Sequence, residues 1–443
     1  MIPHPGPPPQ QSGGHRAAVA RSRRPSRECA ADARRAHLTV CAGWPSGTVY
    51  GGNAICQGGR ADPERDERCA MTWSSWTSRR SGRRRGPSEL STAQRTPRLP
   101  YPDGWFALAA TTEVRPGGVV TRRLMGEDVV LYRTRSGRVR AVRPFCPHLG
   151  AHLGYGGTVR GENLVCPFHH FQFDPEGSCV RTGYGTAAPK ARLSTLECRE
   201  VDGLVFVWWH ALGAAPTWEI EPAPPADFPR PYRTRRTLVE HPQDVVENIV
   251  DFGHFSPVHG TTAEVVEEPR FDGARMETTF RIHAGAGRRS ALVSSTAPLV
   301  RTVVEGLGAI YSEVESERPG LRMRVRLCPT PIDPVRVEMR MSTTARFTTA
   351  RGGRADRALA ALALRPLAWA AWHDMGDDFP IWEHKTYLER PRLAAGDGPI
   401  MKYRRWARQF YSVPGGGPGG APMDGVGPGA GAGADGARLG VTE

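Results

Sequence analysis

Two short segments of the chain each combine one cysteine with one histidine. The first begins CPHLG at Cys146 and the second CPFH at Cys166, so the pattern is C-x-H, seventeen residues, then C-x-x-H. Thiolate sulfur and neutral imidazole nitrogen are ligands for zinc and for iron in iron–sulfur clusters. The candidate ligands are therefore Cys146, His148, Cys166 and His169.

The order of these ligands along the chain distinguishes zinc from an iron–sulfur cluster. Zinc fingers place Cys with Cys and His with His, whereas here each segment carries one of each. In a Rieske [2Fe–2S] centre two His replace two Cys on one iron, which raises the reduction potential. We therefore predict a Rieske centre in which Cys146 and Cys166 bind one iron and His148 and His169 bind the other.

A second group of metal-ligating residue types follows in the segment EHPQDVVENIVDFGHFSPVHG, residues 240–260. Asp251 and His254 are three residues apart, which predicts that they share one face of a helix. Pro257 is expected to break that helix, so that His259 approaches from the following turn. Two His and one carboxylate leave coordination positions of Fe(II) open for O₂. The segment therefore predicts a mononuclear iron site with His254 and His259 as ligands.

The third ligand of such a site must come from a distant part of the sequence. The segment DMGDDFPIWEHKTY, residues 374–387, offers three aspartates, which are Asp374, Asp377 and Asp378. Their residue type and position alone leave the choice among them open.

These motifs resemble the Rieske non-haem iron oxygenases, in particular the oxygenase component of 3-ketosteroid 9α-hydroxylase and the Neverland-type cholesterol 7-desaturases. The resemblance runs from Trp105 to Tyr411, and its most specific pieces are CPHLGAHL, GGTVRGENLVCPFH, VVENIVDFGHF, IWEHK and RRWARQFY. It differs from respiratory Rieske proteins, because the extra cysteine of each of their loops is replaced here by Ala151 and Phe168. In the steroid-type enzymes the aspartate two residues before I-W binds iron, which implies Asp378.

The resemblance implies an α+β architecture and a set of cofactors and partners. We expect an all-β Rieske domain over residues 99–212 and a helix-grip (START-like) catalytic domain with an antiparallel sheet over residues 213–412. The implied cofactors are a [2Fe–2S] cluster and mononuclear Fe(II), with O₂ as co-substrate. A head-to-tail homotrimer and a ferredoxin or flavin reductase as electron donor are also implied. Asp251 would link a cluster histidine of one subunit to His254 of the next, and Asn248 would lie close to the iron.

The predicted activity is that of a Rieske monooxygenase or desaturase acting on a steroid- or sterol-like apolar substrate. Both reactions begin with hydrogen abstraction, so the sequence leaves the outcome open. An aromatic or other alicyclic substrate is the alternative within the enzyme class. A pure electron carrier, with no iron in its second domain, is the alternative outside it, and the intact pair His254 and His259 argues against that alternative.

Local patterns agree with a β-rich chain. The runs 129–132 and 139–142 flank Ser136-Gly137 and predict a hairpin, and LVFVWW at 204–209 predicts a buried strand. Residues 216–231 form a proline-rich connector. Alternation of charged and apolar residues over 336–341 predicts a strand with one wet and one dry face.

The Ala/Leu-rich run over residues 358–372 predicts a helix that is interrupted at Arg365-Pro366. The run is too short and too charged to span a bilayer. We expect it to pack against the sheet, and no transmembrane segment is predicted.

The termini differ in composition from this core. The first hundred residues contain 17 Arg against 7 acidic residues, and residues 413–443 are rich in Gly, Pro and Ala. We interpret residues 1–98 as a disordered extension or a mis-assigned start, with the true start near Met71; a transit or nucleic-acid-binding segment is the alternative. Arginine dominates lysine throughout, so the excess does not by itself indicate a nucleic-acid partner. The cysteines outside the motifs indicate no disulfide framework, and we predict a cytoplasmic protein.

Overall fold

The computed structural model describes residues 99–285, 296–318, 320–349 and 352–412. The predicted leader, residues 1–98, and the predicted tail, residues 413–443, lie outside the described residues. The first part of the described chain forms short strands, which are β1 (Gly104–Ala110), β2 (Val119–Leu124), β3 (Glu127–Arg133), β4 (Val139–Val142), β5 (Thr158–Arg160), β6 (Asn163–Val165), β7 (Gln172–Phe173), β8 (Cys179–Arg181), β9 (Thr195–Leu196), β10 (Cys198–Val201) and β11 (Leu204–Trp209).

These strands form three antiparallel sheets, in the orders β1-β11-β10, β2-β3-β4-β9 and β5-β6-β7-β8. The predicted hairpin is confirmed, because β3 pairs with β4 and the N–H of Gly137 donates to the carbonyl of Thr134 across the turn at 3.1 Å. Gly137 has a φ of 101°, which glycine adopts without the cost a Cβ would add. The predicted buried strand over residues 204–209 is also confirmed as β11, the centre of its sheet.

The second part of the chain is one large antiparallel sheet with helices against it. Its elements are β12 (Tyr232–Val239), α1 (Pro242–Glu247), β13 (Thr261–Asp272), β14 (Arg275–Ala284), β15 (Leu299–Glu305), β16 (Ala309–Ser316), β17 (Leu321–Asp333), β18 (Arg336–Phe347), α2 (Gly353–Met375), α3 (Phe379–Trp382) and α4 (Ile400–Ala407). The seven strands run in the order β12-β18-β17-β16-β15-β14-β13. The predicted connector over residues 216–231, all of it described, contains neither helix nor strand, as its prolines predict.

One face of this sheet forms the main core of the second part. Met276, Val304 and Met339 of the sheet pack with Val246 of α1 and Trp406 of α4. Every one of these side chains is buried. The core therefore fixes α1 and α4 against the sheet, and α1 leads directly into the predicted iron-site segment.

The opposite face of β18 is wet only at its start, where Arg336 is exposed and Glu338 is half-buried, so the prediction is confirmed in part. Val337, Met339 and Met341 are buried as expected, but Arg340 is buried as well. Its guanidinium lies 2.8 Å from a carboxylate oxygen of Glu113 in the first part of the chain. The alternation in sequence is real, but the first domain covers the charged face at Arg340.

The two parts of the chain also share a hydrophobic cluster. Trp105 of β1 and Phe206 of β11 are fully buried together with Ala309 of β16 and Cys328 of β17. The hydroxyl of Thr330 donates to the carbonyl of Ala107 at 2.8 Å across this contact. The cluster-binding half and the large sheet are therefore packed into one body.

The Ala/Leu-rich helix runs uninterrupted through the position where a break was predicted. Pro366 lies inside α2, and the carbonyl that loses its partner there belongs to Leu362, which is 78% exposed. Because solvent reaches this position, the missing hydrogen bond is tolerated. The predicted packing is confirmed on the inner side, where Ala360 and Ala368 are buried and α2 contacts β18. Within the described residues, no helix is long and apolar enough to cross a membrane.

Candidate iron centres

Two tight loops carry the predicted cluster ligands, one between β4 and β5 and the other between β6 and β7. Each loop is closed by the same main-chain bond: the N–H of Gly150 donates to the carbonyl of Cys146 at 2.9 Å, and that of His170 donates to Cys166 at 3.1 Å. Gly150 and His170 both have a positive φ, 73° and 54°. The backbone therefore fixes the shape of both loops, and His170 is an exposed turn residue rather than a candidate ligand.

The predicted ligands approach one another in pairs, His148 with His169 and Cys146 with Cys166. The ring centroids of His148 and His169 are 4.8 Å apart. Cys146 and Cys166 are buried, and burial raises the pKa of the Cys146 thiol to about 11. The Nδ1 atom of His169 is buried and makes no hydrogen bond to any described residue. Two buried thiols beside an unpartnered imidazole nitrogen fit a metal cluster, because iron binds the nitrogen lone pair and stabilises the thiolates.

The second predicted site brings together His254, His259 and Asp378. One possible ligand atom from each residue lies within 4.8 Å of those of the other two. The Nε2 atom of His259 is 3.5 Å from Oδ2 of Asp378, and both side chains are less than a tenth exposed. Two imidazoles and a carboxylate so arranged match the 2-His-1-carboxylate set that binds Fe(II).

The electrostatics of this site favour a cation. Burial by itself would lower the pKa of His259, but the hydrogen bond to Asp378 and the charges of Asp374 and Asp378 raise that pKa above its ordinary value. The same carboxylates stabilise a divalent metal at this position. The buried donor set therefore fits iron in both charge and ligand type.

The backbone around the histidines differs from the predicted helix. Asp251 lies in an irregular segment and His254 in a turn, both after α1 has ended, so they do not share a helical face. The next five residues, Phe255–His259, form a single π-helical turn that includes Pro257. A regular helix through this segment is unfavourable, because Pro257 has no N–H to donate to Gly253 and because glycine is a poor helix former. The wide turn brings His259 to the site with Pro257 inside it.

Two predicted supporting residues, Asn248 and Asp251, both contact His254. The Nδ1–H of His254 donates to the backbone carbonyl of Asp251, which leaves Nε2 to face the site. The amide nitrogen of Asn248 lies 3.4 Å from that Nε2 atom. The Asp251 carboxylate is 4.0 Å from Nδ1 and about a third exposed, and burial raises its pKa. Asp251 therefore lies at the boundary between the site and the surface.

The structure separates the three competing aspartates. Asp378 is 6% exposed and faces the Nε2 atom of His259. Asp374 lies on the other side of the same ring, 3.7 Å from Nδ1. The indole N–H of Trp382, four residues after Asp378, donates to the amide oxygen of Asn248 at 3.4 Å. The D-x-x-I-W spacing thus places Asp378 beside His259 and Trp382 beside Asn248, which contacts His254.

A set of buried contacts to α1 was not assigned from the sequence, and we call it the α1 anchor network. Arg404 makes two hydrogen bonds to the carboxylate of Glu247, at 2.6 and 2.8 Å, and both side chains are 9% exposed. The hydroxyls of Tyr403 and Tyr411 donate to the backbone and side-chain oxygens of Gln243, at 2.7 and 2.8 Å. The tail segment YRRWARQFY, residues 403–411, supplies Tyr403, Arg404 and Tyr411, but the sequence alone assigned them no role.

Charged groups extend the α1 anchor network to the start of the helix. The ammonium group of Lys385 lies 3.0 Å from Asp244. Burial, followed by the neighbouring charge of Asp244, raises the pKa of Glu240 to about 9. Lys385 follows α3, so this pair ties the segment that carries Asp378 to the helix that precedes His254.

Comparison with known families agrees with this division of the chain. Residues 104–192 match the Rieske [2Fe-2S] domain, and residues 207–411 match the 3-ketosteroid 9alpha-hydroxylase C-terminal domain. The chain thus carries a Rieske [2Fe-2S] domain followed by a 3-ketosteroid 9alpha-hydroxylase C-terminal domain, the two parts of an oxidoreductase that uses a [2Fe–2S] cluster and a mononuclear iron. The predicted family, enzyme class and cofactors are confirmed.

Relatives come from both of the groups named by the sequence motifs. Cholesterol 7-desaturase nvd of Xenopus laevis is 29% identical over 338 residues, which cover 70% of this chain and 72% of the relative. The oxygenase component of 3-ketosteroid-9-alpha-monooxygenase of Rhodococcus rhodochrous is 25% identical over 325 residues, which cover 70% of this chain and 83% of the relative.

A solved structure of the same fold is that of dicamba monooxygenase bound to dicamba. It superimposes with a TM-score of 0.54 at 19% identity, over 70% of this chain and 96% of that one. The likeness confirms the expected α+β fold of a Rieske domain followed by a catalytic domain.

Proposed function

We propose that this chain is the oxygenase component of a Rieske system that oxidises a steroid- or sterol-like substrate. The observation that carries the proposal is the convergence of two imidazoles and one buried carboxylate in the domain that follows a cluster-binding domain. In this proposal the cluster ligands are Cys146, His148, Cys166 and His169, and the iron ligands are His254, His259 and Asp378.

When bound, the cluster relays electrons and the mononuclear iron activates O₂ for attack on a C–H bond. The side chains around the site orient the ligands. The carbonyl of Asp251 fixes the tautomer of His254, and Asn248, itself bonded to Trp382, limits rotation of the ring. These contacts hold the donor atoms in place before the metal binds.

Aromatic side chains shield the histidines from water on one side. Phe255 lies against His254 and His259, with ring centroids 4.7 and 5.8 Å away. Phe280 of β14 packs on Phe255 at 5.5 Å. An apolar wall of this kind suits a hydrophobic substrate, and both relatives compared above are named for sterol or steroid chemistry.

The direct test is turnover of a substrate panel. The full chain, with its cluster and iron, is incubated with a ferredoxin reductase system, O₂ and a set of sterols, 3-ketosteroids and small aromatic acids. We expect a steroid or sterol product by mass spectrometry, with one added oxygen for hydroxylation or two fewer hydrogens for desaturation. Oxidation of an aromatic acid with no steroid turnover would contradict the substrate proposal. Iron near two per chain, instead of three, would indicate an electron carrier.

We further propose a head-to-tail homotrimer in which the cluster of one subunit feeds the iron of the next. The support is a collar of apolar side chains around the cluster loops, each more than half exposed: Phe145, Leu149, Tyr155, Phe168 and Tyr184. Exposed apolar patches of this kind mark protein interaction sites. The partly exposed Asp251 beside His254 offers a carboxylate to a cluster histidine across such a boundary.

Mixed assemblies test this electron route. A chain with His254→Ala and a chain with Cys166→Ser are each expected to be inactive. Co-expressed, they should recover part of the activity, because the cluster of the first lies beside the iron of the second. Asp251→Asn should keep both metals and slow turnover strongly, because an amide cannot replace the charge-assisted bonds of the carboxylate. Folded mixed trimers without activity would show that electrons move within one chain.

We also propose a cytoplasmic location. The described part of the chain contains five cysteines, all with free thiols, of which two are the proposed cluster ligands. A reducing compartment keeps such thiols available for iron. Fractionation of the producing cells, with the visible absorption of the cluster as the marker, measures the location directly.

A further inference from the structure

Both ring nitrogens of His259 face carboxylates. Nε2 is 3.5 Å from Asp378, and Nδ1 is 3.7 Å from Oδ1 of Asp374. The two aspartates are four residues apart: Asp374 lies in the last turn of α2 and Asp378 at the start of α3. One short segment therefore supplies a carboxylate to each nitrogen of the ring. The ring itself is only 7% exposed, so its orientation depends on these neighbours.

The two iron-site histidines differ in how the nitrogen remote from the site is held. In His254 the Nδ1–H donates to the main-chain carbonyl of Asp251. In His259 the Nδ1 atom is buried and makes no hydrogen bond to any described residue. A neutral imidazole that offers Nε2 to a metal carries its proton on Nδ1. A buried N–H without an acceptor costs about 1–3 kcal/mol, so this nitrogen favours an acceptor nearby.

Asp374 is placed to be that acceptor. Its carboxylate is less than about 1 Å beyond the usual length of a charge-assisted hydrogen bond. Its side chain is 61% exposed and lies in the last turn of α2. Asp378 already faces Nε2, and the charge of Asp377 raises the pKa of His259 less than the charges of Asp374 and Asp378 do.

We propose that Asp374 is a positioning residue, which accepts a hydrogen bond from Nδ1 of His259 and thereby fixes the ring for metal binding through Nε2. This inference depends on the iron site proposed above. A carboxylate behind a ligating imidazole fixes its tautomer and increases its basicity, and loss of such a partner lowers metal affinity by about 10- to 100-fold. Because Asp374 is exposed and water can replace it in part, we expect a loss near the lower end of that range.

The experiment measures metal affinity directly, without turnover. The mononuclear metal is removed from the full chain with a chelator under conditions that leave the oxidised cluster intact, as its absorption shows. Mn²⁺ is then titrated in, and free Mn²⁺ is followed by its electron-spin signal. The chains compared are the unmodified protein, Asp374→Ala, Asp374→Asn, Asp377→Asn as the matched control, and His254→Ala as the check on the site.

We expect Asp374→Ala to weaken Mn²⁺ binding by about 10-fold or more. Asp374→Asn should lie between Asp374→Ala and the unmodified protein, because its amide oxygen still accepts a hydrogen bond without the charge. Asp377→Asn should change binding by less than about 3-fold, and cluster absorption should be equal in all five chains. A role limited to helix stability would not produce this order of affinities.

The possible failures are distinguishable. If His254→Ala binds Mn²⁺ as tightly as the unmodified chain, the proposed iron site is wrong. If His254→Ala loses binding but Asp374→Ala does not, the site stands and the role of Asp374 is overturned. If Asp377→Asn weakens binding as much as Asp374→Asn, the effect is that of charge in general, and the hydrogen bond to Nδ1 is rejected.

Discussion

The loops that carry the cluster ligands close on themselves, through main-chain bonds from Gly150 to Cys146 and from His170 to Cys166. The iron-site residues come from two distant segments and are supported by side chains: Asn248 by Trp382, and α1 by Arg404. The cluster half therefore depends on local backbone geometry, whereas the iron half depends on long-range side-chain contacts. The two sites are therefore sensitive to different changes, because a substitution far away in the sequence can disturb the iron site but not the cluster loops.

The largest expected effect comes from removal of one proposed ligand, either at the iron site or at the cluster. His254→Ala should abolish turnover and lower iron from three toward two per chain, while the visible absorption and the electron-spin signal of the reduced cluster remain. Cys166→Ser should do the reverse, with the cluster lost and divalent metal binding at the second site retained. Metal analysis and spectroscopy on the same samples measure both. Loss of the cluster signal in His254→Ala would contradict this division of the ligands.

Loss of the buried ion pair in the α1 anchor network should have the next largest effect. Arg404→Ala leaves Glu247 buried and unpaired, which typically costs about 3–5 kcal/mol of stability. Because α1 leads into the iron segment, iron affinity should fall as well, while cluster absorption stays unchanged in the folded protein. Urea unfolding and iron titration measure the two effects. The neighbouring Arg405 is exposed, so Arg405→Ala should change stability by less than about 0.5 kcal/mol.

Glu240 should make the free energy of unfolding depend on pH. Its pKa in the folded chain is about 9, because of burial and the charge of Asp244, whereas an unfolded Glu titrates near about 4.3. Between these values the folded chain keeps a proton that the unfolded chain has lost, so the free energy of unfolding falls as pH rises, by at most about 1.4 kcal/mol per pH unit.

Glu240→Gln removes this titration. The variant should therefore be more stable than the unmodified chain at about pH 8 and closer to it at about pH 5, with a flatter pH dependence between. Urea unfolding over that range measures it. Glu317 is exposed, and Glu317→Gln should leave the slope unchanged. An unchanged slope in Glu240→Gln would show that Glu240 is ionised in the folded chain.

The smallest effect should follow from a single indole hydrogen bond. Trp382→Phe removes the donor to Asn248 and keeps most of the packing, so about 1 kcal/mol is lost at most. We expect iron affinity to fall by no more than about 5-fold, with the cluster unaffected. Trp406→Phe is the matched control, because the indole of Trp406 donates to the carbonyl of Gly273 instead. Equal loss of iron affinity in both variants would show that the hydrogen bond from Trp382 to Asn248 has no specific role at the iron site.

Sequence patterns predict most where the determinants are local. The cluster loops and the hairpin around Gly137 depend on residues that are close in sequence, and the structure forms both. The helix expected at Asp251 and His254 was wrong, because α1 ends at Glu247, before either residue, and a spacing of three residues fits a turn as well as a helix. The third proposed iron ligand, Asp378, followed from family resemblance, since no local pattern links it to the histidines.

Other features depend on contacts that a sequence does not display. Arg340 alternates with apolar residues as a wet face would, yet the first domain covers it. The α1 anchor network pairs Glu247 with Arg404, residues far apart in the chain, and only the packed structure brings them together. Pro366 was expected to interrupt α2, but exposure of Leu362 removes the cost of the missing bond.

The hydrophobic cluster shared by β1, β11, β16 and β17 bears on how this chain can be divided or recombined. A fragment cut at residue 212 would expose Trp105 and Phe206 to water and leave the guanidinium of Arg340 without Glu113. The cluster-binding half is therefore not an exchangeable module, and a chimaera that joins it to another catalytic sheet must carry the facing surface of β16 and β17 as well. Substitutions that alter electron delivery are thus better tolerated at the exposed tips of the cluster loops than in the buried contact between the two parts of the chain.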